Sequence, residues 1–260
     1  MILRQIIDII ESAAPLKWQE EWDNSGLQVG DTDAEISAVL VTVDVTETVL
    51  KEAVSRGCNL IISHHPLIFH GLKRLTGATP VERCVIDAVR HNIAIYSSHT
   101  PLDSWIHGVS GEMAERCGVR NCRILVPTDS DTATEQHGLG VIGSLPEPVP
   151  FSAFLQTVKT TFAADTLSYT PARKQYIQTV AFCGGAGSEF TAEAARQGAD
   201  VYITADCKYH EMQTASDSIA VVSLDHWVSE HFVRDIFMRM LKGIVTVFAA
   251  ETDRSPVCSL

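Results

Sequence analysis

The feature that most constrains this chain is an alternation of short apolar runs with amphipathic stretches. AVLVTVDV (38–45) reads as a strand. TETVLKEAVSRG follows as a helix, with Thr46 as its N-cap and Gly57 as its stop. NLIIS is the next strand, PVERCVIDAVRHN (80–92) a helix, and IAIYSS (93–98) a strand. Apolar strands separated by amphipathic helices imply βαβ units and a largely parallel sheet.

The pattern recurs. TVAFCGG (179–185) is a strand, SEFTAEAARQG a helix ending at Gly198, and DVYITAD (200–206) a strand. Laying Val39 over Val180 puts Gly57 on Gly198 and CNLIIS on ADVYIT without a gap. Either one β-α-β unit occurs twice, or two separate units share a pattern. GSLPEPVP (143–150) carries three prolines and reads as a turn or linker. The expected fold is therefore α/β, with two similar βαβ-containing halves and largely parallel or mixed sheets. The expected division is 1–126 and 127–260, with the C-terminal helix packing back on the first half. MILRQIIDIIESAAP is broken by Arg4, Asp8 and Glu11 at helical spacing, so it reads as an amphipathic helix, not a signal sequence.

A net charge of −12 disfavours a binder of phosphate backbones. The seven cysteines form no CxxC and are odd in number, which points to a reducing, cytoplasmic setting and no disulfide framework. No stretch is long and apolar enough to span a membrane.

Titratable residues gather where strands end. SHHP gives His64 and His65, SSHTPLD gives His99 and Asp103, TADCKYH gives Asp206 and His210, and LDHWVSEHF gives His226 and Glu230. In open α/β sheets ligands bind outside the carboxyl ends of strands. A helix beginning near Asp225, its N-cap, would put His226 and Glu230 on one face at i, i+4 and continue through FVRDIFMRML. Imidazole with carboxylate suits zinc, iron, manganese or nickel. The set exceeds what one tetrahedral zinc needs, and two ions would use it. Each piece also has a plainer reading, as a hydrogen-bonded strand end, a turn or a helix pair. FCGGAGSEF could cradle a phosphate on its backbone or serve only as a tight turn. EWDNSGLQVG (21–30) suits a turn at Asp23, Asn24 and Gly26, with Trp22 as core or as site wall.

EWDNSGLQVG, LIISHHPLIF, SSHTPLD, CGGAGS, TADCKYH and DHWVSEHF, in this order, resemble the Nif-three-like family, whose members are also called GTP cyclohydrolase I type 2 homologues. The resemblance runs from about residue 21 to 232 and to the compact form without an inserted domain. It implies two divalent metal ions per chain at the strand ends between the halves, held by His64, His65, Asp103, His226 and Glu230. It also implies a ring-shaped homohexamer. His99 and His210 are the implied proton-transfer residues. The implied reaction is hydrolytic opening of the GTP imidazole ring at C8 with release of formate; the metals considered are zinc, iron and manganese. The alternative is a ring-shaped metal-binding regulatory or interaction protein without turnover. Pro101, Asp225, Cys183 and Ala205 replace residues frequent in the family, and none of these changes removes an implied ligand.

Overall fold

The computed structural model describes residues 1–128 and 137–258. Along the chain come α1 (Leu3–Ala13), β1 (Gly26–Val29), β2 (Ala38–Thr42), α2 (Glu47–Ser55), β3 (Leu60–Ser63), α3 (Pro80–Arg90), β4 (Ala94–Ser97) and α4 (Thr100–Ser104). Next are α5 (Val109–Arg116), β5 (Arg120–Pro127), β6 (Gly138–Pro150), α6 (Phe151–Thr161), β7 (Ser168–Tyr169) and β8 (Tyr176–Ala186). The remainder is α7 (Thr191–Arg196), β9 (Val201–Ala205), α8 (Tyr209–Ala215), β10 (Ala220–Leu224), α9 (His226–Glu230), α10 (Val233–Leu241) and β11 (Thr246–Ala249).

The chain forms two compact units: Met1–Leu102 with His231–Arg254, and Asp103–Glu230 with Ser255–Leu260. These are not the halves expected at 1–126 and 127–260. Residues 126 and 127 lie inside β5, which pairs antiparallel with β6 and holds that boundary within one sheet. Residues 129–136, just past the expected division, lie outside the described residues.

The first unit carries a sheet in the order β1-β4-β3-β2-β11, parallel except for β1. Thr46 caps α2 by accepting from Val49 N–H at 3.2 Å. Val49, Leu50 and Ala53 of α2 and Cys84, Val85 and Ala88 of α3 pack over Leu40, Ile61 and Ile95. Burying a side chain such as Val49 or Leu50 stabilises by about 1.5–3 kcal/mol. α10 packs on β2 and β11 and against α1.

The second unit's sheet runs β5-β6-β8-β9-β10-β7 and is mixed. Its core joins Ile142, Ala181, Tyr202 and Val221 to Ala194 of α7 and Ala215 of α8. The stretch read as a proline linker is the end of β6. Prolines are tolerated there because pairing with β5 stops at Arg120↔Ser144 and pairing with β8 shifts between Ser144 and Val149.

The ungapped superposition holds in three dimensions. Val39↔Leu60, Leu40↔Ile61 and Val41↔Ile62 in one unit correspond to Val180↔Val201, Ala181↔Tyr202 and Phe182↔Ile203 in the other. The helix stops match as well, with Gly57 at φ +67° and Gly198 at φ +84°.

Candidate metal centre

β3 ends at Ser63, and the next two residues stay tied to β2. His64 N–H donates to Thr42 O at 3.2 Å, and His65 N–H to Val43 O at 3.0 Å. The two imidazoles therefore turn to one side, with ring centroids 5.0 Å apart. His99, just past β4, brings its ring to 5.2 Å from His64 and 5.3 Å from His65. One ring nitrogen from each of the three lies within 4.8 Å of the others. His64 is fully buried, and His65 and His99 are half-buried.

Each ring is oriented through Nδ1. His64 Nδ1 donates to Ser98 O at 3.0 Å, His65 Nδ1 to Asp44 Oδ1 at 2.9 Å, and His99 Nδ1 to Asp23 Oδ1 at 2.9 Å. A proton held on Nδ1 leaves Nε2 as the basic nitrogen of the neutral ring, the arrangement found behind metal-binding histidines.

Asp23, like Asp44, is a residue of the cluster that sequence reasoning missed. Its side chain is fully buried. It accepts from Ser25 Oγ, from Thr100 N–H and Oγ1, and from His99. Burial alone would raise its pKa, but these hydrogen bonds and the charge of His99 hold it well below the usual carboxylate range. The available signal was an acidic turn residue between Trp22 and Asn24, and its partner lies 76 positions away.

The second unit holds the other predicted ligands. Asp225 caps α9 through Val228 N–H at 3.2 Å. His226 Nε2 and Glu230 Oε2 meet at 3.2 Å, as the i, i+4 spacing requires. His226 Nδ1 donates to Asp206 Oδ2 at 2.7 Å. Glu230 is almost fully buried. The helix does not run on through FVRDIFMRML: α9 ends at Glu230, and α10 begins at Val233 in the other unit. Asp103 is half-buried in α4, where Pro101 occupies the first turn, a position that needs no N–H donor. Burial pushes the Cys183 thiol up, and the charges of Asp103, Glu189 and Glu230 push it in the same direction.

The glycine-rich segment is a turn built for close packing. The N–H groups of Gly184, Gly185 and Gly187 donate to Ser110 Oγ, Ser229 Oγ and Thr204 Oγ1, so they are not offered to a phosphate. Gly185 sits at φ +63°, and a Cβ there would run into Glu230 Oε1. Only glycine lets the carboxylate come this close to β8.

His210 is exposed on α8, with Nδ1 3.3 Å from Gln213 Oε1. It lines a cavity of about 440 Å³ together with Ser188, Glu189, Thr191 and Ser218. The structure brings together His64, His65 and His99 in one unit and His226 with Glu230 in the other. His210 is held by its own helix.

Comparison with known proteins identifies the class. The family model described as Duf34/NIF3 (NGG1p interacting factor 3) matches residues 1–256. The chain belongs to this family. A Clostridium acetobutylicum protein named GTP cyclohydrolase 1 type 2 homolog is 31% identical over 242 residues, which cover 93% of this chain and 90% of that one. The Streptococcus pneumoniae protein of the same name is 33% identical, covering 91% and 89%. The crystal structure of a Bacillus cereus protein related to NIF3 has the same fold, with a TM-score of 0.91 at 23% identity over 100% of this chain and 99% of that one. Among the described residues no helix is long and apolar enough to cross a membrane, and all seven cysteines are free thiols.

Proposed function

We propose that the chain is a dinuclear-metal hydrolase of the GTP cyclohydrolase 1 type 2 homolog kind, with His64, His65, Asp103, His226 and Glu230 as ligands. The observation that carries this reading is the common orientation of the histidines. Four imidazoles, His64, His65, His99 and His226, each have Nδ1 on an oxygen acceptor. His210 also has Nδ1 beside an oxygen, and what sets His64, His65 and His99 apart from it is that their rings cluster. The imidazoles of His64 and His65, with carboxylates in the same motif set, fit a divalent ion of the zinc, iron or manganese type, and His99 stands beside them.

Bound ions would supply Lewis acidity and a water ionisable near neutral pH. The chain's own residues do the rest. Asp23 fixes the His99 tautomer and stabilises its imidazolium, so His99 can accept a proton at Nε2 and return it to the leaving group. Asp44 and Asp206 orient His65 and His226. His210 is the weaker proton-transfer candidate, since it is exposed and bonded to its own helix. The free thiols suit a reducing cytoplasm, and the homohexamer implied by the resemblance can be read by sedimentation.

The test is formate release from GTP by protein loaded separately with zinc, manganese or iron(II), beside Glu230→Ala. Metal-dependent release, lost in the variant, is the expected result. His99→Ala should lower turnover while metal stays bound. Two ions bound per chain with no formate from any preparation would sink GTP as substrate and favour a metal-binding protein without turnover.

A further inference from the structure

The segment EWDNSGLQ does more than turn the chain. Trp22 is 57% exposed, although the side chain of Asp23 beside it is fully buried. Its ring and that of His99 form a T-shaped pair, with centroids 5.7 Å apart and planes at 75°. Phe69, 40% exposed, lies 6.1 Å from it at 48°. Two large aromatics exposed side by side next to a cluster of imidazoles offer a ligand a flat apolar face.

The two aromatics are held on a rigid frame. Asp23 N–H donates to Glu20 O at 3.0 Å, and the Asp23 carboxylate is locked to Ser25, His99 and Thr100. Asn24 Nδ2 donates to Ile68 O at 2.5 Å, and Ile68 N–H donates to Gln28 Oε1 at 3.2 Å. Gln28 Nε2 returns to Asn24 O at 2.6 Å. The polar residues of the motif thus tie the Trp22 turn to the residue before Phe69. Surface aromatics on a cross-tied frame lose little freedom when a ligand docks.

We infer that Trp22, supported by Phe69, is the platform on which the substrate's planar heteroaromatic ring, of the purine class, stacks. The inference rests on the reading of the imidazole cluster as the reaction centre. The indole meets His99 at 75° and keeps 57% of its surface exposed, which leaves room for a flat ring against it. A ring stacked on the indole at about 3.5 Å would present its edge atoms towards His99. Cationic ligands, the other partners of an indole face, are disfavoured beside imidazoles that hold divalent ions.

The test measures calorimetric affinities of zinc-loaded protein for guanosine, GTP and inorganic triphosphate in wild type, Trp22→Ala, Trp22→Phe and Phe69→Ala. Zinc content and thermal melts are recorded for each. Trp22→Ala should bind guanosine and GTP on the order of tenfold more weakly or worse, the usual loss when a base-stacking aromatic is truncated. Trp22→Phe should recover most of that affinity, Phe69→Ala should lose less, and triphosphate affinity should not change. Unchanged guanosine affinity in Trp22→Ala overturns the inference. So does an equal loss for guanosine and triphosphate, or a change in association state in place of the affinity loss. If Trp22→Ala does not fold, Trp22→Phe and Phe69→Ala decide: both at wild-type affinity overturns the platform. Zinc bound with no guanosine binding to wild type removes the platform and leaves the metal reading. Guanosine binding that depends on Trp22 without bound zinc does the reverse.

Discussion

Val39 faces Leu60 across one pair of parallel strands, and Val180 faces Val201 across another. The likeness extends to polar detail. Ser37 N–H donates to Asn59 Oδ1 at 2.9 Å, and at the matching place Gln178 N–H donates to Asp200 Oδ2 at 2.9 Å. Beyond the strand ends the chemistry diverges. In the first unit a carboxylate following the first strand, Asp44, holds an imidazole following the second, His65. In the second unit the residue matching Asp44 is Gly185, and the one matching His65 is Asp206. Asp206 is now the acid, and it holds an imidazole that follows the third strand, His226. One backbone plan thus presents imidazole from two different strands, with the anchoring acid moved to suit. The scaffold fixes where a ligand can stand, and single positions decide which element supplies it.

The comparison breaks hardest at Gly185. Gly185→Ala should cost about 1–3 kcal/mol and push the Glu230 carboxylate aside, lowering metal content, because its Cβ would run into Glu230 Oε1 at a positive φ. Thermal melts and metal content check this, and a variant with wild-type melting and metal would refute the close packing. Next come the two anchors. Asp44→Asn and Asp206→Asn should each weaken metal affinity by about 10–100-fold with little change in melting. Competition with a chelating dye reads both, and an effect at only one would end the parallel between them.

A smaller effect separates Asn59 from Asp200. Burial would raise the Asp200 pKa, but Lys174 and the N–H groups of Gln178 and Thr179 lower it below its ordinary value. A depressed folded-state pKa gives stability that is present above the unfolded pKa and lost as pH falls through the folded one. Asn59 does not titrate. Acidification below the carboxylate range should therefore loosen the start of β8 before that of β2, by about 1 kcal/mol. Hydrogen exchange at residues 177–180 against 37–40 measures the difference, and Asp200→Asn should abolish it. The smallest effect is a symmetric one. Gly57→Ala and Gly198→Ala should each cost about 1–2 kcal/mol from left-handed strain, since a Cβ at either meets nothing within 4 Å. Unequal costs in chemical denaturation would mean that the two helix stops are not equivalent.

The αβ alternation was legible because apolar runs such as AVLVT and LIIS are buried along their whole length. The same holds for the caps at Thr46 and Asp225, where a side chain serves its own turn. The predicted His226–Glu230 contact was legible for the same reason, being one helical turn long. What escaped was set by pairing across long separations. Asp23 reads as a turn until it meets His99, and Asp44 reads as a strand end until it meets His65. β6 looks like a linker because its prolines are judged locally, whereas its place is fixed by β5 and β8. β11 carries no motif and is a strand only because the edge of β2 is there to receive it.

That last pairing bears on how the protein is made. β2 is complete by Thr42, yet the strand that closes its outer side begins at Thr246. During synthesis the ribosome must add some two hundred further residues before β2 gains its neighbour. Until then a strand that is buried along its whole length in the finished fold has one unpaired edge, the kind of edge on which chains join one another. A nascent chain stalled before residue 246 is thus the species most prone to aggregate and most in need of a chaperone.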